Sequence, residues 1–318
     1  MNWVAMFPGQ GSQQAGMGKE LLDKYSNLLI DDFEETLGWS LQEIILKGNQ
    51  EEVTKTNIAQ PYIFAISYCY GLEVIEKIGL PKVGIGHSLG EYTALSLSGI
   101  LSYKDALEII AIRGKAMQEA VEGSNTTLAA VLTSNLEATI KAVEGLIEQG
   151  IGINISNYND ASQIVIGGSH EDINYLKSNP KDLDAKRVIP LDVAGAFHSP
   201  VVSSAKKEVE KVIEQIELKD GQFSVYMNID ANIAELSTIK ERLVNQIDNS
   251  VMFYNQILNI EKFEQPESWY HIGPGNVTAG MVKKSISSKS VKVVNSLNSC
   301  LLYTSDAADE RSSVDLGG

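Results

Sequence analysis

The 318 residues carry 26 lysines and arginines against 41 aspartates and glutamates. The resulting charge of −15 argues against a nucleic-acid binder, which would show a basic face. Two cysteines, Cys69 and Cys300, exclude a disulfide framework and a cysteine metal cluster, while a hydrophobic share of 43% suits a soluble globular chain of one large domain or two modest ones.

The opening "MNWVAMFPGQGSQ" has no basic segment followed by an apolar core, so no signal peptide is expected. "WVAMF" (3–7) reads as a short strand entering the loop "PGQGSQQAGMG", and helical periodicity follows around 15–27 and 36–48. Residues 60–79 read as a long buried helix with Pro61 in its first turn and Gly79 at its end. Its apolar stretch, 62–75, is too short to span a bilayer and contains Glu73, so a cytoplasmic protein with no membrane association is expected. A strand at 82–86 and two helices, the second at 103–122 and capped by Ser102, complete an α/β pattern.

The pattern then changes. Strands at 127–133, 151–155, 163–168 and 186–193 alternate with helices at 136–149 and near 170–178. This β-α-β-β-α-β order is that of a ferredoxin-like unit inserted into the larger body. After it come a helix at 200–217, a strand "FSVYMNI", helices around 236–260, a strand "SWYHIG", a helix at 276–288 and a last strand "VKVV". The expected division is a large α/β part at 1–125, the small unit at 126–195 and the second large part at 196–298. Residues 299–318 show neither helical nor strand periodicity and read as a disordered, non-native tail resembling translated cloning sequence.

One turn carries chemistry. In "VGIGHSLGEYTAL" (83–95) the residues Gly86-His87-Ser88-Leu89-Gly90 fit G-x-S-x-G, in which a serine sits on a strained strand-to-helix turn with its hydroxyl exposed. The bland alternative is a glycine-rich loop whose serine caps the next helix. A nucleophilic serine needs a base, most often histidine. Of the four histidines, His87 adjoins the serine and is expected to point away from it, and His170 starts a polar helix on the far side of the insert. His271 ends a strand, where packing is the plainer role. His198, in "VAGAFHSP", stands where the chain leaves the insert, before Pro200 starts a helix, and is preferred over His271 on placement. Asp192 lies close to it but reads as solvated or structural, so no triad acid is evident.

These residues resemble the malonyl-CoA:acyl carrier protein transacylases over roughly residues 3–297. The marks are "FPGQGSQ" (7–13), "GHSLGEY" (86–92), "RGKAM" (113–117), "NYNDASQIVIGG" (157–168), "GAFHSP" (195–200) and "GPGN" (273–276). The resemblance implies an α/β-hydrolase-like body with an inserted ferredoxin-like subdomain, Ser88 as nucleophile and His198 as base. It also implies an oxyanion hole from the backbone amides of Gln10 and Leu89, and Arg113 as the holder of the malonyl carboxylate. A main-chain carbonyl steadies the histidine in such proteins, and the matching position is Met252 in "NSVMF", where glutamine is usual. Leu128 stands where methionine is usual. Phe197, preceding His198, is expected to exclude substrates branched at the α-carbon, and His87 and Met252 to lie near the substrate.

The implied activity is malonyl transfer from malonyl-CoA to the phosphopantetheine thiol of an acyl carrier protein, by a monomer that needs neither metal nor bound cofactor. Carriers of this kind are usually acidic, and Lys186-Arg187, Lys206-Lys207 and Lys283-Lys284 are candidate docking pairs. A serine thioesterase using the same Ser88 and His198 is the alternative, disfavoured by Arg113 and the missing acid. A non-catalytic carrier-binding scaffold is the remaining reading, disfavoured by the intact elbow.

Overall fold

The computed structural model describes residues 2–286 and 289–299. Chain order begins with β1 (Trp3–Phe7), three short helices α1 (Phe33–Leu37), α2 (Leu41–Lys47) and α3 (Gln50–Thr54), and the long α4 (Thr56–Ile78). Next come β2 (Val83–Gly86), α5 (Gly90–Ser98) and α6 (Tyr103–Val121). The middle of the chain forms β3 (Thr126–Leu132), α7 (Leu136–Glu148), β4 (Asn154–Asp160), β5 (Gln163–Ser169), α8 (His170–Ser178) and β6 (Arg187–Pro190). It returns through α9 (Ala205–Ile213), β7 (Ser224–Val225), α10 (Ile239–Asn245), α11 (Phe253–Phe263), β8 (Ser268–Ile272), α12 (Val277–Ser285) and β9 (Ser290–Val294).

The architecture is mixed α/β, with a parallel sheet and a separate antiparallel one. The first sheet has the order β7-β2-β1-β8-β9 with every pairing parallel. Its central strand β1 is buried throughout, as expected where helices cover both faces. Side chains alternate across it. Trp3, Ala5 and Phe7 join the core built with α4, α5 and α6, while Val4 and Met6 join one containing Phe253, Ile257 and Val282 of α11 and α12. The β2–α5 turn therefore emerges at the carboxyl end of an immobilised sheet, where open α/β folds place their sites.

The second sheet is antiparallel with the order β4-β5-β3-β6. Ala129, Val131, Ile164 and Ile166 pack one face onto Val143, Ile173 and Leu176 of its two helices. Leu128 and Val165, on the other face, belong to the core of the larger body.

Several elements differ from the expected ones. Helix α4 starts at Thr56, so Pro61 lies in its second turn. The helix tolerates this because residues are buried on nearly all its sides, and packing outweighs one missing hydrogen bond. The segment 15–27 forms mainly turns, and 36–48 yields α2 after the end of α1. Strand β4 extends through "NYND" with two register shifts. The helix expected at 200–217 divides into a 3-10 turn at Pro200–Val202, capped by Ser199, and α9. The strand expected at 223–229 shortens to β7, because Asn228 turns its backbone N–H to the Glu91 carboxylate. Ser102 caps α6 by accepting from the Asp105 amide at 3.1 Å. Residues 287–288 of the expected last helix, and the tail beyond Ser299, lie outside the described residues. Among the described residues no helix is long and apolar enough to cross a membrane, and no group of three or more His, Cys, Asp or Glu is placed to hold a metal ion.

Candidate active site

Ser88 occupies the left-handed region at φ 52, which a non-glycine residue adopts only at a cost. Its flanking glycines are required by contact. A Cβ on Gly86 would lie 1.8 Å from the Gly90 carbonyl carbon, and one on Gly90 would lie 2.3 Å from the Phe7 oxygen. The turn is braced from outside by two amides: Ser88 N–H donates to Asn228 Oδ1 at 2.7 Å, and the Ser88 carbonyl accepts from Gln246 Nε2 at 2.9 Å.

His198 Nε2 stands 2.7 Å from Ser88 Oγ, and its Nδ1 lies 2.9 Å from the Gln246 carbonyl oxygen. A carbonyl only accepts, so the ring proton sits on Nδ1 and leaves Nε2 as the acceptor for the serine hydroxyl. Burial, aided by the Arg113 charge, lowers the His198 pKa to about 3. Asn154 Nδ2 of β4 donates to the His198 carbonyl at 3.1 Å, tying the base to the small sheet.

Arg113, from the interior of α6, is fully buried. Its guanidinium donates to Gln60 Oε1 at 2.7 Å, to Ser88 Oγ at 2.9 Å and to Gln246 Oε1 at 2.9 Å, while its Nε has no partner. Burial pushes its pKa down. A desolvated guanidinium beside a serine hydroxyl, bonded only to neutral oxygens and with one donor unmet, is chemically an anion site.

Ser88 and His198 line a cavity of about 340 Å³, and Arg113, fully buried, reaches toward it through Ser88 Oγ. The Gly9–Gln10 loop and His87–Leu89 form one side, with Met117, Leu128, Val165 and Phe197 supplying apolar wall. Neither the Gln10 nor the Leu89 amide donates to another group among the described residues. His87 also lines the cavity; its Nε2 is 2.9 Å from Asn159 Oδ1, and burial lowers its pKa.

Residues 4–300 match the acyl transferase domain. The chain belongs to the acyl transferase domain family. Within that family it is 38% identical over 283 residues to the malonyl CoA-acyl carrier protein transacylase of Bacillus subtilis, covering 88% of this chain and 89% of that protein. It is 32% identical to a polyketide biosynthesis malonyl CoA-acyl carrier protein transacylase of Bacillus velezensis, covering 88% of this chain and 95% of that one. Among solved structures it resembles the malonyl CoA-acyl carrier protein transacylase of Clostridium perfringens, with a TM-score of 0.89, 28% identity and coverage of 99% and 100%. A similar likeness, with a TM-score of 0.88 and 30% identity over 96% of this chain and all of the other, is to a malonyl-transacylase solved in complex with a type II polyketide-synthase acyl-carrier protein.

Relative to the sequence expectations for this acyl transferase, the structure brings both His198 and Arg113 within hydrogen-bond range of Ser88 Oγ and sets Gln10, Leu89, His87 and Phe197 around the adjoining cavity. His271 is elsewhere, buried between Thr278 Oγ1 at 2.6 Å and the Pro274 carbonyl at 3.2 Å. Met252 is a correction. The carbonyl on His198 Nδ1 belongs to Gln246, whereas Met252 turns its N–H to the Asn228 carbonyl and precedes α11. Gln246 follows the end of α10, where terminal carbonyls lack intrahelical partners and are free to accept from a side chain.

Sequence reasoning missed Glu91, Asn228 and Gln246. Glu91 is fully buried, and its two oxygens accept from Asn228 N–H and Gln246 Nε2, each at 2.5 Å. Burial raises its pKa to about 8 against the pull of those two donors and of Arg113. One signal for it was visible: Glu91 is the sole charged residue in "LGEYTALSLSGI".

Proposed function

We propose that this acyltransferase moves a malonyl group from malonyl-CoA to the phosphopantetheine thiol of an acyl carrier protein through an ester on Ser88. One observation carries the residue assignment: a single hydroxyl, Ser88 Oγ, lies 2.7 Å from a neutral imidazole and 2.9 Å from a buried guanidinium. His198 Nε2 takes the hydroxyl proton as Oγ attacks the thioester carbonyl, and the amides of Leu89 and Gln10 receive the developing oxyanion. Arg113 releases Ser88 and turns Nε and a terminal nitrogen to the malonyl carboxylate in a fork of charge-assisted bonds. The tetrahedral species collapses, the C–S bond breaks, and His198 returns its proton to the coenzyme A sulfur. The carrier thiol then gives its proton to His198, attacks the ester, and Ser88 leaves with that proton.

On this reading coenzyme A enters as part of the substrate and phosphopantetheine with the partner, so the chain needs no resident cofactor. The fold reads as an α/β-hydrolase-like body, residues 1–125 and 196–298, carrying a ferredoxin-like insert at 126–195, in a cytoplasmic monomer. An acidic carrier would need basic contacts. Of the candidate pairs, Lys206 is engaged by Asn245 and Asp248, and Lys284 approaches Asp160 at 3.4 Å. Intact-protein mass spectrometry after mixing with malonyl-CoA tests the proposal. A malonyl adduct that a carrier thiol discharges is expected, lost in Ser88→Ala and formed orders of magnitude more slowly in His198→Ala. Free malonate without an adduct would instead mean hydrolysis.

A further inference from the structure

Beyond the groups that would touch substrate lies a buried network whose polarity can be read without ambiguity. Arginine can only donate, so Gln246 must present Oε1 to Arg113, which leaves its Nε2 facing the Ser88 carbonyl and Glu91 Oε2. The Ser88 amide likewise only donates, so Asn228 presents Oδ1 to it and gives Nδ2 to the Gly86 carbonyl at 2.7 Å. Asn228's own N–H points at Glu91 Oε1. Both chains of donors therefore end on one carboxyl group, and together with Arg113 they favour its ionised form against the burial that opposes it.

Gln246 is the joint in this arrangement. Its main-chain carbonyl holds His198, its side-chain oxygen holds Arg113, and its side-chain nitrogen holds the Ser88 carbonyl. Glu91 fixes the rotation of that amide and, when ionised, is a carboxylate whose charge supports the Arg113 guanidinium. We infer that Glu91 is a positioning residue for acyl transfer, acting through Gln246 to set the nucleophile, the base and the cation together. The inference rests on the transfer reading above and adds to it. The plainer role, an acid in the first turn of α5 favoured by the helix dipole, predicts a stability effect alone.

The two roles separate in a double-mutant cycle on Glu91→Gln and Gln246→Met, reading the rate of malonyl-adduct formation by quenched flow and the melting temperature in parallel. Glu91→Gln turns an NH2 toward one of two donors and leaves that donor unmet, so a loss of roughly 10–100-fold is expected. Gln246→Met cuts the same link and is expected to lose a similar factor. Because both changes break one chain of contacts, the double variant should fall no more than about 3-fold below the slower single. Losses that multiply, or a Glu91→Gln protein that acylates at the native rate, would overturn the inference. If Glu91→Gln does not fold, Glu91→Asp, which keeps the charge and withdraws it by one methylene, carries the same comparison. No adduct on the native chain would sink the transfer reading and this one with it; a native adduct with unslowed variants would sink this one alone.

Discussion

Replacing Arg113 with alanine is the most discriminating change available in this site. The side chain is fully buried, every oxygen it touches is neutral, and its Nε is unpaired. A malonyl carboxylate entering that pocket would be desolvated against it, and removing one partner of a buried ion pair costs about 3–5 kcal/mol. At about 1.4 kcal/mol per tenfold, that is a loss of roughly 10²–10⁴ in kcat/KM for malonyl-CoA. Acetyl-CoA has no carboxylate and loses nothing of this kind. It gains where the Arg113 charge no longer depresses the His198 pKa. The assay compares initial rates of transfer from malonyl-CoA and acetyl-CoA to one carrier, with melting curves to verify folding, since Glu91 loses its relayed counter-charge in the variant. Malonyl transfer should fall by the full factor while acetyl transfer stays within about tenfold of native or rises. Equal losses on both donors would make Arg113 a structural residue and refute the reasoning.

Phe197→Ser is expected to relax discrimination against methylmalonyl-CoA by roughly 10–200-fold in a competition with malonyl-CoA, the worth of one methyl in an apolar pocket; an unchanged ratio would leave the ring a packing residue. Acid stability follows from His198 and His271, whose pKa values burial lowers to about 3 and about 4. The unfolded chain takes up these protons near pH 6.5 and the folded one only well below it. Their contribution is therefore complete above about pH 6.5 and is lost as pH falls toward 4, at up to about 1.4 kcal/mol per pH unit for each histidine. Urea midpoints measured from pH 7 to 4.5 should show a shallower decline in His271→Asn, and parallel declines would exclude His271 as a contributor.

The sequence was most legible where local rules and tertiary packing agree. Gly86 and Gly90 announce the elbow because nothing larger fits against Gly90 and Phe7, and Ser102 announces α6 through its bond to the Asp105 amide. The apolar run "WVAMF" reads as a short strand, and the structure divides its side chains between two cores. What stayed hidden depends on long-range partners. The Ser88 amide meets Asn228 and the His198 ring meets Gln246, contacts that span 140 and 48 residues. No periodicity encodes them, which is why the carbonyl is expected at Met252 and found at the end of α10. Strand β7 is short for the same reason, since Asn228 leaves the sheet to serve the elbow.

The carbonyl on His198 also bears on why such a site would transfer and not hydrolyse. A carboxylate partner would support the imidazolium through charge; the Gln246 oxygen supplies only a dipole, and the Arg113 cation opposes the charged ring. Burial first, and the Arg113 cation after it, leave His198 a weak base. In the second half-reaction it needs little strength, because the attacking carrier thiol ionises near pKa ~8.5. Water, with a pKa of about 15.7, asks far more of the same imidazole. A malonyl carboxylate paired with Arg113 would offset the opposing charge while the acyl group is in place, and burial, the larger cause, would still hold the His198 pKa below its ordinary range. The carrier thiol then meets a less depressed base than the free enzyme holds, and water still asks far more of it.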